Sequence, residues 1–360
     1  MNIKIQKVLA KIEANGFEAY IVGGYVRDHV LGIESTDIDI CTNALPRDVI
    51  KIFNLTINHS YGSVSFVSGK YSFDITTYRS EQKYDRRRPG EVEYVDNLIT
   101  DIKRRDFTIN ALCMNKDGTI IDLLNGLPDI KKGIIRVIGD NDQKLTDDPL
   151  RMLRAIRFSV TLGFTIDEQI IKFINYHKEL IKELSYTRRQ EEINRIISSK
   201  NAATGLRVLK ELDLLEVLEI SYDDSLVIVP DILGIWAQMK YHEDYPFIRS
   251  SASTINAIRQ ILDKGTISNL VLFNCELYIA TVAGEILGYD RKDLASRYAA
   301  LPIKSSNELK INSQDIFSIL EIEPSPKVKL IFQDVLEQVL NGELANDYEE
   351  IKKYLLSKWK

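Results

Sequence analysis

The sequence predicts an α+β chain: a mixed or antiparallel sheet with helices at the N-terminal end, followed by an all-helical remainder. Over residues 1–137 short strand patterns alternate with helical stretches and are closed by glycine turns. From about residue 145 the alternation stops and apolar residues recur at helical spacing. A hairpin signal, Ser63–Val67 and Tyr71–Tyr78 closed by Ser68-Gly69-Lys70, favours an antiparallel or mixed sheet over a doubly wound parallel one.

Taken in order, Met1–Asn15 carries Ile5, Val8, Leu9 and Ile12 at helical spacing and is stopped by Gly16. Ala19–Val22 reads as a strand entering Gly23-Gly24 and the helix Val26–Leu31. Asp37–Cys41 alternates as a strand, and Arg47–Phe53 is a short helix. Further on, Leu150–Leu162, Ile166–Leu184, Arg188–Ser199, Ala202–Leu212 and Ala252–Leu262 all read as helices. Ser221–Asp244, without clear periodicity, reads as a connector. This organisation separates a mixed part, to about residue 135, from a helical remainder that begins near residue 145.

Composition narrows the class. With 44% hydrophobic and 28% charged residues in 360, the chain has the profile of a globular protein with substantial cores. No apolar run approaches a membrane span, and no signal-peptide core opens the chain. Cys41, Cys113 and Cys275 are scattered and odd in number, which suits a reducing, cytoplasmic setting rather than a disulfide framework. His29, His59, His177 and His242 form no ligand spacing. The net charge of −5 means that a nucleic-acid partner must be argued from local charge.

The first constellation is Gly23-Gly24-Tyr-Val-Arg27-Asp28 followed by Asp37-Ile38-Asp39. Residues two apart on a strand share a face, so Asp37 and Asp39 project together and repel unless a divalent cation sits between them. An all-oxygen donor set suits Mg²⁺, which also bridges substrate phosphates. The double glycine lets backbone N–H groups approach phosphate oxygens, and the following helix presents its positive end.

This combination resembles the nucleotidyltransferase superfamily. Arg104-Arg105-Asp106-Phe107-Thr108-Ile109-Asn110-Ala111 and Asp147-Asp148-Pro149-Leu150-Arg151-Met152-Leu153-Arg154-Ala155-Ile156-Arg157-Phe158 are similar to two further motifs of one family, the class II tRNA nucleotidyltransferases and bacterial poly(A) polymerases. Arg104 and Arg105 are adjacent cations whose forks match phosphate geometry, with Asp106 placed to orient one of them and Asn110 to meet a ribose hydroxyl or a metal-bound water. Standing alone, the segment reads equally as a charged helix start. Asp148 and Arg151 face the same way if they share a helix. Such an acid and arginine can read a Watson–Crick edge, although an i,i+3 salt bridge explains the spacing too. The resemblance implies that Asp148 and Arg151 choose the incoming base, flanked by Asp147. It implies that Gly23, Gly24, Arg27, Asp28, Arg104, Arg105, Asp106, Asn110, Arg154 and Arg157 bind the nucleotide.

Asp74, on a strand expected beside Asp37 and Asp39, suits a third catalytic carboxylate. Asp122-Leu-Leu-Asn125-Gly126 reads as a hinge or simply a turn. Arg79–Pro89, with Arg86, Arg87 and Arg88 before Pro-Gly, reads as a basic loop that in this family is tied to addition of the terminal A. Thr187–Ile197 resembles the last motif of the series, with Glu192 and Arg195 tying its helix to a neighbour. Where relatives often have Gly, this chain has Asp213.

The implied reaction is template-independent transfer of CMP and AMP from CTP and ATP to the 3′ end of tRNA, with Mg²⁺ held by the catalytic Asp37 and Asp39. CC-only, A-only and poly(A) addition share the same motifs, and an RNA-binding relative with an inactive head is a further reading. Nothing in the sequence indicates a membrane partner, and it leaves the oligomeric state open.

Overall fold

The computed structural model describes residues 2–56, 62–80, 93–323 and 325–360. Two compact units divide the chain, Met1–Leu218 and Glu219–Lys360.

The first unit opens with α1 (Ile3–Glu13), whose Ile5, Leu9 and Ile12 are fully buried. Then come β1 (Ala19–Val22), α2 (Gly24–Leu31), β2 (Asp37–Thr42), α3 (Pro46–Phe53), β3 (Ser63–Ser68), β4 (Tyr71–Thr77), α4 (Leu98–Lys103), β5 (Cys113–Met114), β6 (Ile120–Ile121), α5 (Gly126–Lys132) and β7 (Ile134–Ile135). Six of these strands form one sheet in the order β3-β4-β2-β1-β5-β6. Every pairing in it is antiparallel except β2 with β4, which runs parallel and sets Asp39 opposite Asp74. The sheet is therefore mixed, as the hairpin signal implies.

On β2 the alternation separates two environments. Ile38 and Ile40 are buried on one face, while Asp37 and Asp39 are exposed on the other. Cys41, one step further on the Asp face, is buried under a cluster that includes Val22, Tyr78, Ile102, Ala111 and Cys113. The carboxylates thus stand at the open end of a strand whose other end is core.

The unit continues with α6 (Asn141–Asp147), α7 (Leu150–Leu162), β8 (Thr165–Ile166), α8 (Glu168–His177), α9 (Tyr186–Ile197), α10 (Ala202–Glu211) and α11 (Leu214–Leu218). The single helix expected over Ile166–Leu184 is broken: α8 ends at His177 and a 3₁₀ segment, Lys178–Glu183, follows. An all-helical remainder also needs correction. β7 and β8 form a parallel ladder, and the second unit begins with β9 (Ile220–Tyr222), α12 (Ile232–Ala237) and β10 (Met239–Tyr241), the two strands pairing antiparallel. Ladders of two or three residues are too short to print a period on the sequence. The expected connector is in fact a core element, since Trp236 is fully buried with Tyr241, Tyr245 and Phe247 at centroid distances of 5.2, 5.4 and 5.2 Å.

The rest of the second unit is helical: α13 (Arg249–Lys264), α14 (Asn269–Asn274), α15 (Leu277–Ile286), α16 (Arg291–Ala300), α17 (Ser313–Leu320), α18 (Pro326–Leu340) and α19 (Tyr348–Lys358). Asp334 on α18 accepts from Tyr354 Oη, Lys358 Nζ and Trp359 Nε1 at 2.8, 2.9 and 3.0 Å, which ties the C-terminal helix down. No helix among the described residues is long and apolar enough to cross a membrane.

Two turn positions have clear causes. A methyl at Gly126 would lie 2.3 Å from the Thr108 carbonyl oxygen, so close backbone approach requires glycine there. Asp213 sits at φ 52°, a left-handed conformation that favours glycine.

Candidate active site

The site is built first from β2 and its neighbour. Asp37 and Asp39 project from one face, and the parallel register brings Asp74 of β4 beside Asp39. Although its residue is open to solvent on the cleft side, the Asp39 carboxyl is partly desolvated by the surrounding cleft walls, which raises it above its ordinary range; Arg105 opposes this, and Asp74 and Asp37 add to it. Gly23 joins β1 to α2 at φ 79°, ψ −136°, a conformation open essentially to glycine alone. A Cβ there would stand 3.4 Å from Asp39 Oδ2 and 3.7 Å from Arg105 Nη1. The first turn of α2 is thereby pressed against the carboxylates, with its N-terminal N–H groups at the cleft.

Asp37 and Asp39 on one strand face, with Asp74 opposite Asp39, form an all-oxygen donor set that fits a hard divalent cation. Among the described residues no three metal-ligating side chains converge into a ready-made cage.

Arginines line the opposite side. Arg27 on α2 donates from Nε and Nη2 to Asp28 Oδ1 at 2.9 and 2.7 Å, and from Nη1 to Asn110 Oδ1 at 2.7 Å. Asn110 Nδ2 in turn donates to Asp106 Oδ1 at 3.2 Å. Both ends of Asn110 are thus engaged in fixing side chains, and Asp28 serves Arg27.

Asp106 does not orient Arg104 or Arg105, contrary to the expectation from sequence. It binds Arg154 of α7, accepting from Nε at 2.8 Å and Nη2 at 2.5 Å. The two arginines are held instead by Asp101, a fully buried residue of α4 that the motif reading missed. Its Oδ1 accepts from Arg104 Nε and Nη2 at 2.8 and 2.7 Å, and its Oδ2 from Arg105 Nη2 at 3.1 Å. The Asp at i−3 and i−4 from the arginine pair was the available signal. Burial pulls the Arg104 guanidinium below its ordinary value despite Asp101, whereas Arg105 is held above it, burial being outweighed by Cys41, Asp101 and Cys113. The Nε of Arg105 is buried without a hydrogen-bond partner.

The third wall is the α6–α7 junction. Asp148 and Arg151 do not share a helix: Asp148 ends α6 in an extended conformation (φ −141°, ψ 93°), and Arg151 lies in the first turn of α7. Arg151 donates to the carbonyls of Lys144 and Arg104 at 2.7 and 3.3 Å, while Asp148 accepts from Arg188 of α9. Further along α7, Arg157 Nε donates to the buried Glu192 of α9 at 2.6 Å, so Glu192 ties the two helices together, whereas Arg195, expected to share that role, meets Glu192 at 3.5 Å within α9 itself. Burial and the neighbouring Arg154 and Arg195 bring Arg157 down to about 10 against the pull of Glu192. Phe158 collects three cations over its ring, Arg157, Arg27 and Arg154 at 4.1, 5.2 and 5.5 Å.

The aspartates of β2 and β4, the arginines and the α6–α7 junction open onto one cleft of about 1060 Å³ within the first unit, with Asp101 and Glu192 buried behind its walls. Among the described residues nine arginines line it and no lysine does, a composition suited to forked recognition of phosphate rather than simple charge attraction. Arg79, Arg188, Arg195, Ser72 and Tyr25 join the residues expected from sequence. Arg86, Arg87 and Arg88 lie outside the described residues.

Comparison with known proteins converges on one family. A poly A polymerase head domain matches residues 19–136, a probable RNA- and SrmB-binding site of polymerase A matches 163–222, and a putative tRNA nucleotidyltransferase domain 2 matches 236–355. The CCA-adding enzyme of Lactobacillus delbrueckii subsp. bulgaricus is 36% identical over 97% of this chain and 96% of its own. That of Limosilactobacillus reuteri is 32% identical over 94% of this chain and 93% of its own. Among solved structures, the Bacillus stearothermophilus CCA-adding enzyme in complex with CTP superposes with a TM-score of 0.85 at 28% identity, covering 99% of this chain and 98% of that one. The Thermotoga maritima CCA-adding enzyme complexed with tRNA shares the fold at 21% identity and a TM-score of 0.69, covering 100% and 97%.

Proposed function

The chain belongs to the family of CCA-adding tRNA nucleotidyltransferases with a poly(A) polymerase head domain, and we propose that its cleft builds the CCA end of tRNA from CTP and ATP with release of pyrophosphate. The observation that carries this reading is the meeting in one cleft of a carboxylate pair, an arginine wall and the Asp148–Arg151 pair.

Asp37 and Asp39 would hold a divalent cation, Mg²⁺ in our reading, which would lower the pKa of the attacking 3′ hydroxyl and offset charge on the leaving pyrophosphate. Asp74, Asp39's neighbour across the ladder, takes the hydroxyl proton. Gly23 and Gly24 bring the first N–H groups of α2 to the triphosphate. Arg27, braced by Asp28 and Asn110, and Arg104 and Arg105, braced by Asp101, grip its oxygens. Because the acids hold these forks in place beforehand, little is lost in ordering them when the nucleotide arrives. Arg154 and Arg157, fixed by Asp106 and Glu192 and stacked about Phe158, keep the cleft floor cationic.

Base choice falls to Asp148 and Arg151, an acceptor and a donor side by side at the cleft. A carboxylate accepts from the exocyclic amine of cytosine or adenine and repels the carbonyl that uracil and guanine present at the same place. We assign residues 1–137 to catalysis, 138–200 to nucleotide selection and 201–360 to RNA binding. A cytoplasmic location suits the three free thiols.

The test is incorporation on tRNA lacking its last three nucleotides, with CTP alone, ATP alone and both, the products sized on a gel. CC with CTP alone and CCA with both is the expected result. A long A tract with ATP alone, or a stop at CC with both, overturns the assignment.

A further inference from the structure

Every arginine that grips a neighbouring acid in the cleft does so in its own way, and one of these pairs stands apart. Arg188 reaches from the first turn of α9 and places a single nitrogen, Nη2, 3.0 Å from Asp148 Oδ1 and 3.3 Å from Oδ2. We propose that Arg188 is a specificity-determining positioning residue: it sets the orientation of the Asp148 carboxylate and so decides which lone pair is offered to the incoming base. This rests on the reading of Asp148 as a base-edge acceptor.

The argument starts from how differently the two members of the pair are held. Arg151 is 5% exposed and fastened to two backbone carbonyls, so its fork is fixed by the main chain. Asp148 lies between two helices in an extended conformation, where helical geometry does not set its side chain. Leu150 N makes a long contact of 3.3 Å with Oδ1. The strongest grip on the carboxylate therefore comes from another helix. An ionised carboxylate offers about four lone-pair sites. Arg188 and Leu150 N use the side turned toward α7 and α9, which leaves acceptor capacity for an amino group in the cleft. Without Arg188 the carboxylate is free to turn about its own χ2, a soft torsion, and its acceptor is no longer held where an amine can be told from a carbonyl. The side chain of Arg188 is 47% exposed, so its removal opens no cavity in the core.

The same geometry predicts which substitution will rescue the function. Since one nitrogen makes both contacts, a lysine ammonium can replace it, unlike a site that uses the two-pronged guanidinium.

The experiment measures kcat and KM for CTP, ATP, UTP and GTP on tRNA lacking CCA, for the wild-type chain, R188A, R188K, D148A and D148A/R188A. For R188A we expect the CTP-over-UTP preference in kcat/KM to fall about tenfold, more than turnover of CTP falls. R188K should restore most of that preference, and the double variant should be no less selective than D148A. If R188A keeps wild-type selectivity while D148A loses it, or if R188A weakens all four nucleotides equally, the proposal is overturned and Arg188 is a general phosphate contact or a surface bridge. Additive losses in the double variant overturn it as well. Unchanged selectivity in D148A instead overturns the base-reading assignment itself, and the role of Arg188 with it.

Discussion

Arg154 and Asp106 are joined across 48 residues of chain, with Nε and Nη2 of the arginine both directed at Oδ2 of the acid. This contact fastens α7 to the segment that follows the Arg104-Arg105 pair, and it makes the charge of Asp106 part of the folded state. Burial alone would raise the Asp106 carboxyl; the Arg154 charge and the hydrogen bonds from Arg154, Phe107 N and Asn110 overcome it and hold the group below its usual range. A carboxyl depressed on folding contributes stability above its unfolded value near 4, and that contribution is lost as pH falls through the lower folded value. Asp106→Asn should therefore cost about 2–3 kcal/mol at pH 7, below the full figure for a buried pair because Arg154 is partly exposed. It should also flatten the dependence of stability on pH below about 4. Urea unfolding at a series of pH values checks both, and parallel curves for variant and wild type would contradict the linkage.

If Asp37 and Asp39 hold the cation as proposed, Asp37→Ala and Asp39→Ala should each lower incorporation by at least about a thousandfold, since each would remove one of its ligands. Binding of tRNA, measured by filter retention, should change little because phosphate contacts elsewhere supply most of that affinity. Near-normal incorporation by either variant would end the assignment.

Asp101→Asn leaves two arginines sharing a neutral amide. The expected result is a KM for CTP raised roughly tenfold, as the pre-set forks loosen, and a loss of about 3 kcal/mol in stability from disrupting a buried ion pair. Steady-state kinetics with chemical denaturation separate the two effects. A normal KM in a destabilised protein would leave Asp101 a purely structural residue.

Substituting Ala for Asp148 or Arg151 should relax discrimination against UTP or GTP by about 1–3 kcal/mol, roughly five- to 150-fold. Arg151→Ala should lose some stability too, because its guanidinium also closes the carbonyls of Lys144 and Arg104. Misincorporation assays with single nucleotides read the first effect, and thermal unfolding reads the second.

Gly126→Ala places a methyl against the Thr108 carbonyl oxygen, a backbone atom that cannot swing aside. Overpacking of this kind costs about 1–3 kcal/mol. Because Thr108 also donates to Asp129 at 2.6 Å, the disturbance should reach α5, and hydrogen exchange there should speed up. Exchange equal to wild type would show that the turn absorbs the methyl.

What the sequence by itself determined was local and periodic. The two-residue spacing of Asp37 and Asp39 was enough to put them on one face, because a strand turns its side chains by half a turn at each step. Leu150–Leu162 and Ala19–Val22 were legible to the residue, since a glycine closes each of them and a clear apolar pattern fills it. The arginine and aspartate motifs named most of the cleft by resemblance. Only the tertiary structure decided who holds whom. Asp106 turned from Arg105, its neighbour in sequence, to Arg154, and Asp148 went to Arg188, 40 residues away. The reason is physical: a period along the chain records which face of an element is apolar, whereas the partner of a charge depends on which helices dock around it. Docking is settled by the packing of whole faces, such as α7 against α9, and leaves no mark at the spacing of the charged residues themselves.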